Sequence, residues 1–446
     1  MNEKVIVLHP ILTTYKTEDG DSSRKFERDP DAALEEAVGL AHAINLQIVH
    51  TEIVRLKMAT PATLIGSGIV ERIKDAVHEY EAGLVFVDYA LSPVQQRNLE
   101  EEWHCKVIDR TGLILEIFGA RARTKEGKLQ VDLAALNYQR SRLVKAWSHL
   151  ERQRGGGSFV GGPGETQKEL DRRMIDDKIK KLKKDLESVK QNRAIQRESR
   201  KREPYPVLAI VGYTNAGKST LFNRVTGSEV FAKDLLFATL DTTMRALKLP
   251  SGKKAVLSDT VGFISELPTH LVAAFRATLE EVLDAAVILH VRDISGENTE
   301  AEKEDVLSIL RDLGIDSDND PRIIEVLNKI DKLPAKERAG VVTRCKRQER
   351  IAAVSAITGE GLDHLLGVVD GLLGKDQQVM YADIDLTDGK ALAWLYSHGH
   401  VIDRTDDEEH ARVKVGLEPA NIERFGSQFP YKLTKTKTRK KKLKAS

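Results

Sequence analysis

Cysteine is almost absent: Cys105 and Cys345 are the only two in 446 residues. Two cysteines far apart in sequence make neither a disulfide framework nor a cysteine-based metal site, and they fit a reducing compartment. No apolar run approaches the roughly 18 residues that a membrane-spanning helix requires. The opening MNEKVIVLHPILTTYKTEDG holds one short apolar stretch and no small-residue cleavage pattern, so no signal peptide is predicted and a cytoplasmic location is expected. No lipidation motif or amphipathic anchor is visible, so any membrane contact is expected to be transient and made by charge.

Net charge is low as well, at +1, but it is a balance of opposed segments. Residues 140–203 carry 19 Lys/Arg against 10 Asp/Glu, and the tail 432–446 carries 8 Lys/Arg and no acid, which leaves −16 on the rest of the chain. Two basic segments on an acidic body predict a polyanionic partner reached through those segments. The plainer alternative is a solvated helix face with a disordered tail.

What is present is enough for two to four domains, with 41% hydrophobic residues to fill their cores. Residues 1–127 alternate strand-like runs (5–9, 47–53, 84–89 and 106–110) with amphipathic helical stretches (33–44 and 70–80), the pattern of a parallel sheet covered by helices. Gly66-Ser67-Gly68 precedes a helix but lacks the third glycine and downstream acid of a dinucleotide fingerprint, which favours a tight turn. Within 128–203, Leu129, Leu133, Leu136, Leu143, Trp147 and Leu150 follow a four-three spacing interrupted at Arg140; Ile175, Ile179, Leu182, Leu186 and Val189 repeat that spacing. Matched seams predict an antiparallel helical hairpin. Its tip, 155–164, holds six glycines and a proline, and Glu165 and Glu169 suit the first turn of the second helix. Arg152, Arg154, Arg172 and Arg173 flank the tip. A passive linker is the competing reading.

Pro204 and Pro206 end the hairpin, and a second α/β domain is expected over 204–376, its last helix closing at Gly374. Residues 377–431 read as a small α+β unit with a helix at 391–396 and strands at HVID and ARVKVGL; 432–446 reads as a disordered basic tail. VIDRT occurs at 107–111 and at 401–405, too short to establish a repeat.

The chemistry lies in 204–376. Gly212-Tyr213-Thr214-Asn215-Ala216-Gly217-Lys218-Ser219 follows the apolar run 207–211 and opens a helix at Thr220. Such a loop wraps phosphates with backbone N–H groups at a positive helix end; Lys218 reaches the β- and γ-phosphates and the Ser219 hydroxyl ligates Mg²⁺. Asp259-Thr260-Val261-Gly262 ends the run AVLSD; Asp259 is expected to hold Mg²⁺ through water, and the Gly262 N–H to meet the γ-phosphate. Asn328-Lys329-Ile330-Asp331 ends IIEVL, and the Asp331 carboxylate can accept from both N1–H and the 2-amino group of guanine, donors that adenine lacks. Ser355-Ala356-Ile357 follows IAAV and is expected to offer a backbone N–H to the guanine O6. Phe237-Ala238-Thr239-Leu240-Asp241 reads as a switch that brings Thr239 to Mg²⁺ as a second ligand. Together these predict a Mg²⁺-dependent hydrolase of GTP to GDP with a doubly wound sheet, in which Lys218, Thr239 and Gly262 serve catalysis. Phe263 stands where many regulatory GTPases carry a water-orienting glutamine, so slow intrinsic hydrolysis that needs a partner is expected.

GYTNAGKSTLFNR (212–224), FATLDTT (237–243), DTVGFI (259–264), NKID and SAITGEGL (355–362) resemble the HflX GTPases. So do VIDRTGLILEIF (107–118), 122–134 and GGPGETQKELDRR (161–173), outside the nucleotide motifs. The resemblance implies a cytoplasmic, Mg²⁺-dependent GTPase that binds the large ribosomal subunit, in a family associated with splitting stalled ribosomes, particularly under heat stress; a monomer is expected. By the same resemblance the hairpin reaches the rRNA of the peptidyl-transferase region with its glycine-rich tip, and the expected contact residues are Gly155, Gly156, Gly157, Gly161, Gly162 and Gly164 with the flanking Arg152, Arg154, Arg172 and Arg173. Phenylalanine after DTVG is usual in that family. Gly161 stands where some members have arginine, and the Lys-rich tail is not general. Two other readings remain open: a large-subunit assembly GTPase, and an RNA-remodelling NTPase with a second nucleotide near Gly66–Gly68.

Overall fold

The computed structural model describes residues 3–12, 29–153, 163–200, 205–227, 236–237, 243–265, 281–374, 378–417 and 419–435. The N-terminal run alternates strictly: β1 (Lys4–Leu12), α1 (Pro30–Ala43), β2 (Gln47–Leu56), α2 (Ser67–Tyr80), β3 (Leu84–Val87), α3 (Pro93–Trp103), β4 (Lys106–Asp109) and α4 (Arg110–Arg121). The four strands form one parallel sheet in the order β2-β1-β3-β4. Local chemistry fixes the helix starts. Asp29 caps α1 by accepting from the Ala32 N–H with Pro30 in the first turn, and Ser92 and Gln95 form a reciprocal capping box on α3. Gly66 is the N-cap of α2, so Gly66-Ser67-Gly68 opens a helix rather than forming a separate turn.

Two long helices follow, α5 (Lys125–Gln153) and α6 (Pro163–Arg200), packed against one another with Ile179 buried. Arg140, which interrupts the apolar seam, reaches Asp176 of α6 at 3.2 Å. Helix α6 starts earlier than the glycine run predicts: Pro163 and Gly164 are its first residues, and proline suits a first turn whose N–H would lack a helical partner. The base of α5 is tied to the β4–α4 corner, where the Tyr138 hydroxyl donates to Asp109 Oδ1 at 2.7 Å and Arg142 lies 3.3 Å from Asp109 Oδ2.

The second α/β unit comprises β5 (Val207–Gly212), α7 (Lys218–Thr226), β6 (Thr243–Lys248), β7 (Lys254–Asp259), β8 (Val287–Asp293), α8 (Thr299–Asp312), β9 (Ile323–Asn328), α9 (Ala335–Arg347), β10 (Ile351–Ala353) and α10 (Leu362–Gly374). Its sheet runs β10-β9-β8-β5-β7-β6, parallel except for β6. The C-terminal unit is a three-stranded antiparallel sheet, β11 (Gln378–Asp385), β13 (His410–Leu417) and β12 (His400–Asp406), carrying α11 (Gly389–His398) and α12 (Pro419–Gln428). The two VIDRT strings differ: one bridges β4 into α4 and the other lies wholly within β12, so they are no structural repeat. Among the described residues no helix is long and apolar enough to cross a membrane.

The two α/β units share one apolar core. Ala37, Leu40, Leu113, Ile117 and Phe118 of the first cluster with Tyr213, Phe237, Val261, Phe263 and Ile264 of the second. Phe118 and Phe237 meet edge-on with ring centres 4.7 Å apart, a geometry that contributes about 0.5–1.5 kcal/mol beyond area burial.

Candidate functional site

The site forms at the carboxyl ends of β5, β7, β8 and β9, where an open α/β sheet leaves its crevice. Strand β5 runs directly into the 212–217 loop, and α7 begins at Lys218 with Gly217 as its N-cap. Glycine is required at both ends of this loop. Gly212 has φ +155°, and a Cβ there would overlap the Val291 carbonyl; Gly217 has φ +89°, and a Cβ there would overlap the Asn328 side chain. The loop is therefore wrapped tightly against β8 and the end of β9, and it leads directly into the N-terminus of α7 at Lys218.

Lys218 is buried and donates to the Tyr213 carbonyl at 2.6 Å. Burial pushes its ammonium down to about 8, against the pull of Asp259 and Glu302. The Ser219 hydroxyl donates to Asp259 Oδ2 at 2.8 Å, which brings the two expected metal-holding groups together. A hydroxyl and a carboxylate in contact are oxygen donors of the kind a hard divalent cation takes, so these residues fit Mg²⁺. Thr260 turns inward and donates to the Ile210 carbonyl at 2.6 Å. A Cβ on Gly262 would stand 3.0 Å from Lys218 Nζ, so the glycine backbone lies against the loop lysine.

Asn328 ties the loop to the base-side strands. Its Nδ2 donates to the Ala216 carbonyl at 2.8 Å, and its Oδ1 accepts from the Ala356 N–H at 3.0 Å. Lys329, at φ +63°, pairs with Asp293 at 2.6 Å. Asp331 Oδ1 is buried and has no hydrogen-bond partner among the described residues, the condition expected of an acceptor kept for a ligand's donors. At the Ser355–Ala356 pair, the Ala356 amide donates to Asn328 Oδ1 at 3.0 Å and the Ser355 amide donates to the Glu360 carbonyl at 2.9 Å. Both serve to fix the loop beside the strand ends. Ile357 is exposed.

Of the expected switch, Phe237 is described and buried at φ +55°, a conformation that costs a non-glycine residue energy and is held here by the shared core. Ala238, Thr239, Leu240 and Asp241 lie outside the described residues. So do Arg154, Gly155, Gly156, Gly157, Gly161 and Gly162 of the hairpin tip. Arg172 and Arg173 are exposed on α6. Phe263 is 3% exposed and sits in the shared core.

Sequence reasoning missed the polar groups at the back of the site. Tyr213, expected to serve through its backbone, sends its side chain to the N-terminal unit, where the hydroxyl bonds Glu36 and accepts from the Ser265 N–H at 2.9 Å. Arg110 lies beside them, buried against Asp88 and Glu36. The one available signal was a guanidinium between a strand end and the apolar run LILEIF, which predicts a buried charge in need of partners.

Residues 31–119 match the family described as GTP-binding GTPase N-terminal, 121–200 the GTP-binding GTPase Middle Region, 207–329 the 50S ribosome-binding GTPase and 340–438 the HflX C-terminal domain. A GTPase HflX from Magnetococcus marinus is 48% identical over 392 residues, spanning 88% of this chain and 89% of its own. That of Escherichia coli is 44% identical over 341 residues, 76% of this chain and 79% of its own. A GTP-binding protein of the archaeon Sulfolobus solfataricus, solved in complex with GDP, is 24% identical, covers 83% of this chain and 98% of that one, and gives a TM-score of 0.44. With four family matches in order and relatives nearly half identical over most of its length, the chain belongs to the HflX family of GTPases and is a GTP hydrolase.

Proposed function

We propose that this GTPase binds the large ribosomal subunit, in a Mg²⁺-dependent GTP cycle, and uses that cycle to split or rescue stalled ribosomes. The observation that carries the partner is the pairing of two long helices, α5 and α6, with a net basic sequence over 140–203, in a chain whose residues 207–329 match a 50S ribosome-binding GTPase family. A stiff basic arm joined to a switch domain suits a partner made of structured polyanion, read by shape and phosphate contact. In this reading Arg152, Arg154, Arg172, Arg173 and the glycine-rich tip make the RNA contact.

At the nucleotide, the 212–217 amides wrap the phosphates while Lys218 meets the β- and γ-oxygens. Ser219, Thr239 and Asp259 would hold Mg²⁺, which when bound would supply positive charge to neutralise the phosphates. The Gly262 N–H faces the γ-phosphate, and the Asp331 carboxylate selects guanine. Because Phe263 is committed to the core, no side chain at that position orients the attacking water, and the partner supplies that order. Light scattering by intact ribosomes tests the outcome. Addition of the protein with GTP should lower the signal as subunits separate. An unchanged signal, with precursor large subunits accumulating in depleted cells, would replace splitting with assembly.

A further inference from the structure

The backbone just beyond Gly262 is held from the other α/β unit. Arg110, at the first position of α4, is 6% exposed. Its guanidinium contacts Asp88 Oδ1 and Glu36 Oε1, each at 2.5 Å, and donates to the Ser265 hydroxyl at 2.8 Å and the Ser265 carbonyl at 3.2 Å. Glu36 in turn accepts from the Ser265 hydroxyl at 3.1 Å and bonds the Tyr213 hydroxyl, which accepts the Ser265 N–H at 2.9 Å. Asp88 also meets His9 Nδ1 at 2.8 Å. Burial alone would raise the Asp88 carboxyl, but the Arg110 charge and the His9 contact bring it below its ordinary value, so the cluster is a settled ion pair. The Ser265 N–H, carbonyl and hydroxyl are therefore all tied to this cluster.

Two residues earlier, the same segment is bonded to the phosphate loop. The Phe263 N–H donates to the Gly212 carbonyl at 3.1 Å, and the Thr214 N–H donates to the Phe263 carbonyl at 2.6 Å. Gly262 is the next residue back. Its peptide is thus suspended between the phosphate loop and an anchor whose main charged members, Arg110 and Glu36, belong to the N-terminal unit. Neither is among the groups expected to contact GTP, although Glu36 bonds the side-chain hydroxyl of the loop residue Tyr213.

We propose that Arg110, acting with Glu36 through Ser265 and the Tyr213 hydroxyl, is a positioning residue for GTP hydrolysis: it fixes the Gly262–Phe263 peptide against the phosphate loop, so the N-terminal unit sets turnover without touching GTP. This rests on the reading that the Gly262 N–H meets the γ-phosphate. A shift of that amide by an ångström is enough to cost roughly tenfold to a hundredfold in rate.

The test measures saturating turnover and, separately, GDP affinity in the full chain carrying Glu36→Gln, Tyr213→Phe or both. Arg110→Gln is the direct variant but strands two buried carboxylates, so the milder pair keeps the test readable if it fails to fold. Each single variant should lower turnover about tenfold with GDP affinity within about twofold of the parent, and the double variant should be no slower than the worse single. Parental or faster turnover in both single variants would overturn the proposal, as would additive losses or a parallel loss of GDP affinity. Gly262→Ala separates the two claims. If it hydrolyses at the parental rate, the Gly262 reading fails; if it is slow while Glu36→Gln is not, only the positioning role fails.

Discussion

Replacing Phe263 with glutamine is the change that a comparison with glutamine-bearing GTPases would recommend as an improvement, and the structure predicts the opposite. The ring is 3% exposed, in one core with Tyr213, Phe237, Val261 and Ile264. Removing that apolar burial costs about 1.5–3 kcal/mol. A carboxamide placed there without partners adds roughly 1–3 kcal/mol. The expected loss is about 2.5–6 kcal/mol, which at a urea slope of about 3 kcal/mol/M moves an unfolding midpoint down by about 1–2 M. The Phe263 backbone bonds to Gly212 and Thr214 do not depend on the side chain, so GDP binding should survive wherever the protein remains folded. Denaturation followed by tryptophan fluorescence, with single-turnover GTP hydrolysis on the same samples, decides the matter. A Phe263→Gln protein as stable as the parent and about tenfold faster would refute the placement of this residue in the core.

The buried, unpaired Asp331 Oδ1 predicts that Asp331→Asn loses about a hundredfold in GDP affinity and gains for xanthosine diphosphate, read by nucleotide titration. Gly217→Ala forces a left-handed residue with a side chain into Asn328, and nucleotide binding should weaken by about 2–4 kcal/mol in the same titration. His290 is buried on β8, and burial pushes it down to about 3 from an unfolded value of 6.5. The unfolded chain takes up that proton first, so stability is full above pH 6.5 and falls by about 1.4 kcal/mol per unit as the pH drops toward 3. His290→Phe should flatten the stability profile by about 2 kcal/mol between pH 6.5 and 5, measured as the difference from the parent in urea titrations.

Much of the site is legible in the sequence because its parts are local. A loop between a strand and a helix needs glycines at fixed offsets, and Gly212 and Gly217 occupy the two positions where a side chain collides. The strands behind the motifs stand out as apolar runs, and each ends where its motif begins. Sheet order is not local, and neither is the anchor behind the site. Tyr213 and Glu36 are 177 residues apart, and Arg110 and Ser265 are 155 apart, so no periodicity could pair them. Helices α3 and α4 also escaped: α3 buries only Leu99 and Trp103, and α4 follows β4 without an intervening loop to mark it. The place of Phe263 was the most misleading position. Its identity excluded a hydrogen bond to water, but only the packing revealed that the ring is part of the join between two α/β units.

The most direct measurement is GTP turnover by the purified protein alone, with large ribosomal subunits and with small subunits, at one salt concentration. Stimulation of tenfold or more by the large subunit only, about 1.4 kcal/mol off the barrier, is the predicted result. Equal turnover in all three samples would contradict the large subunit as activator of this GTPase.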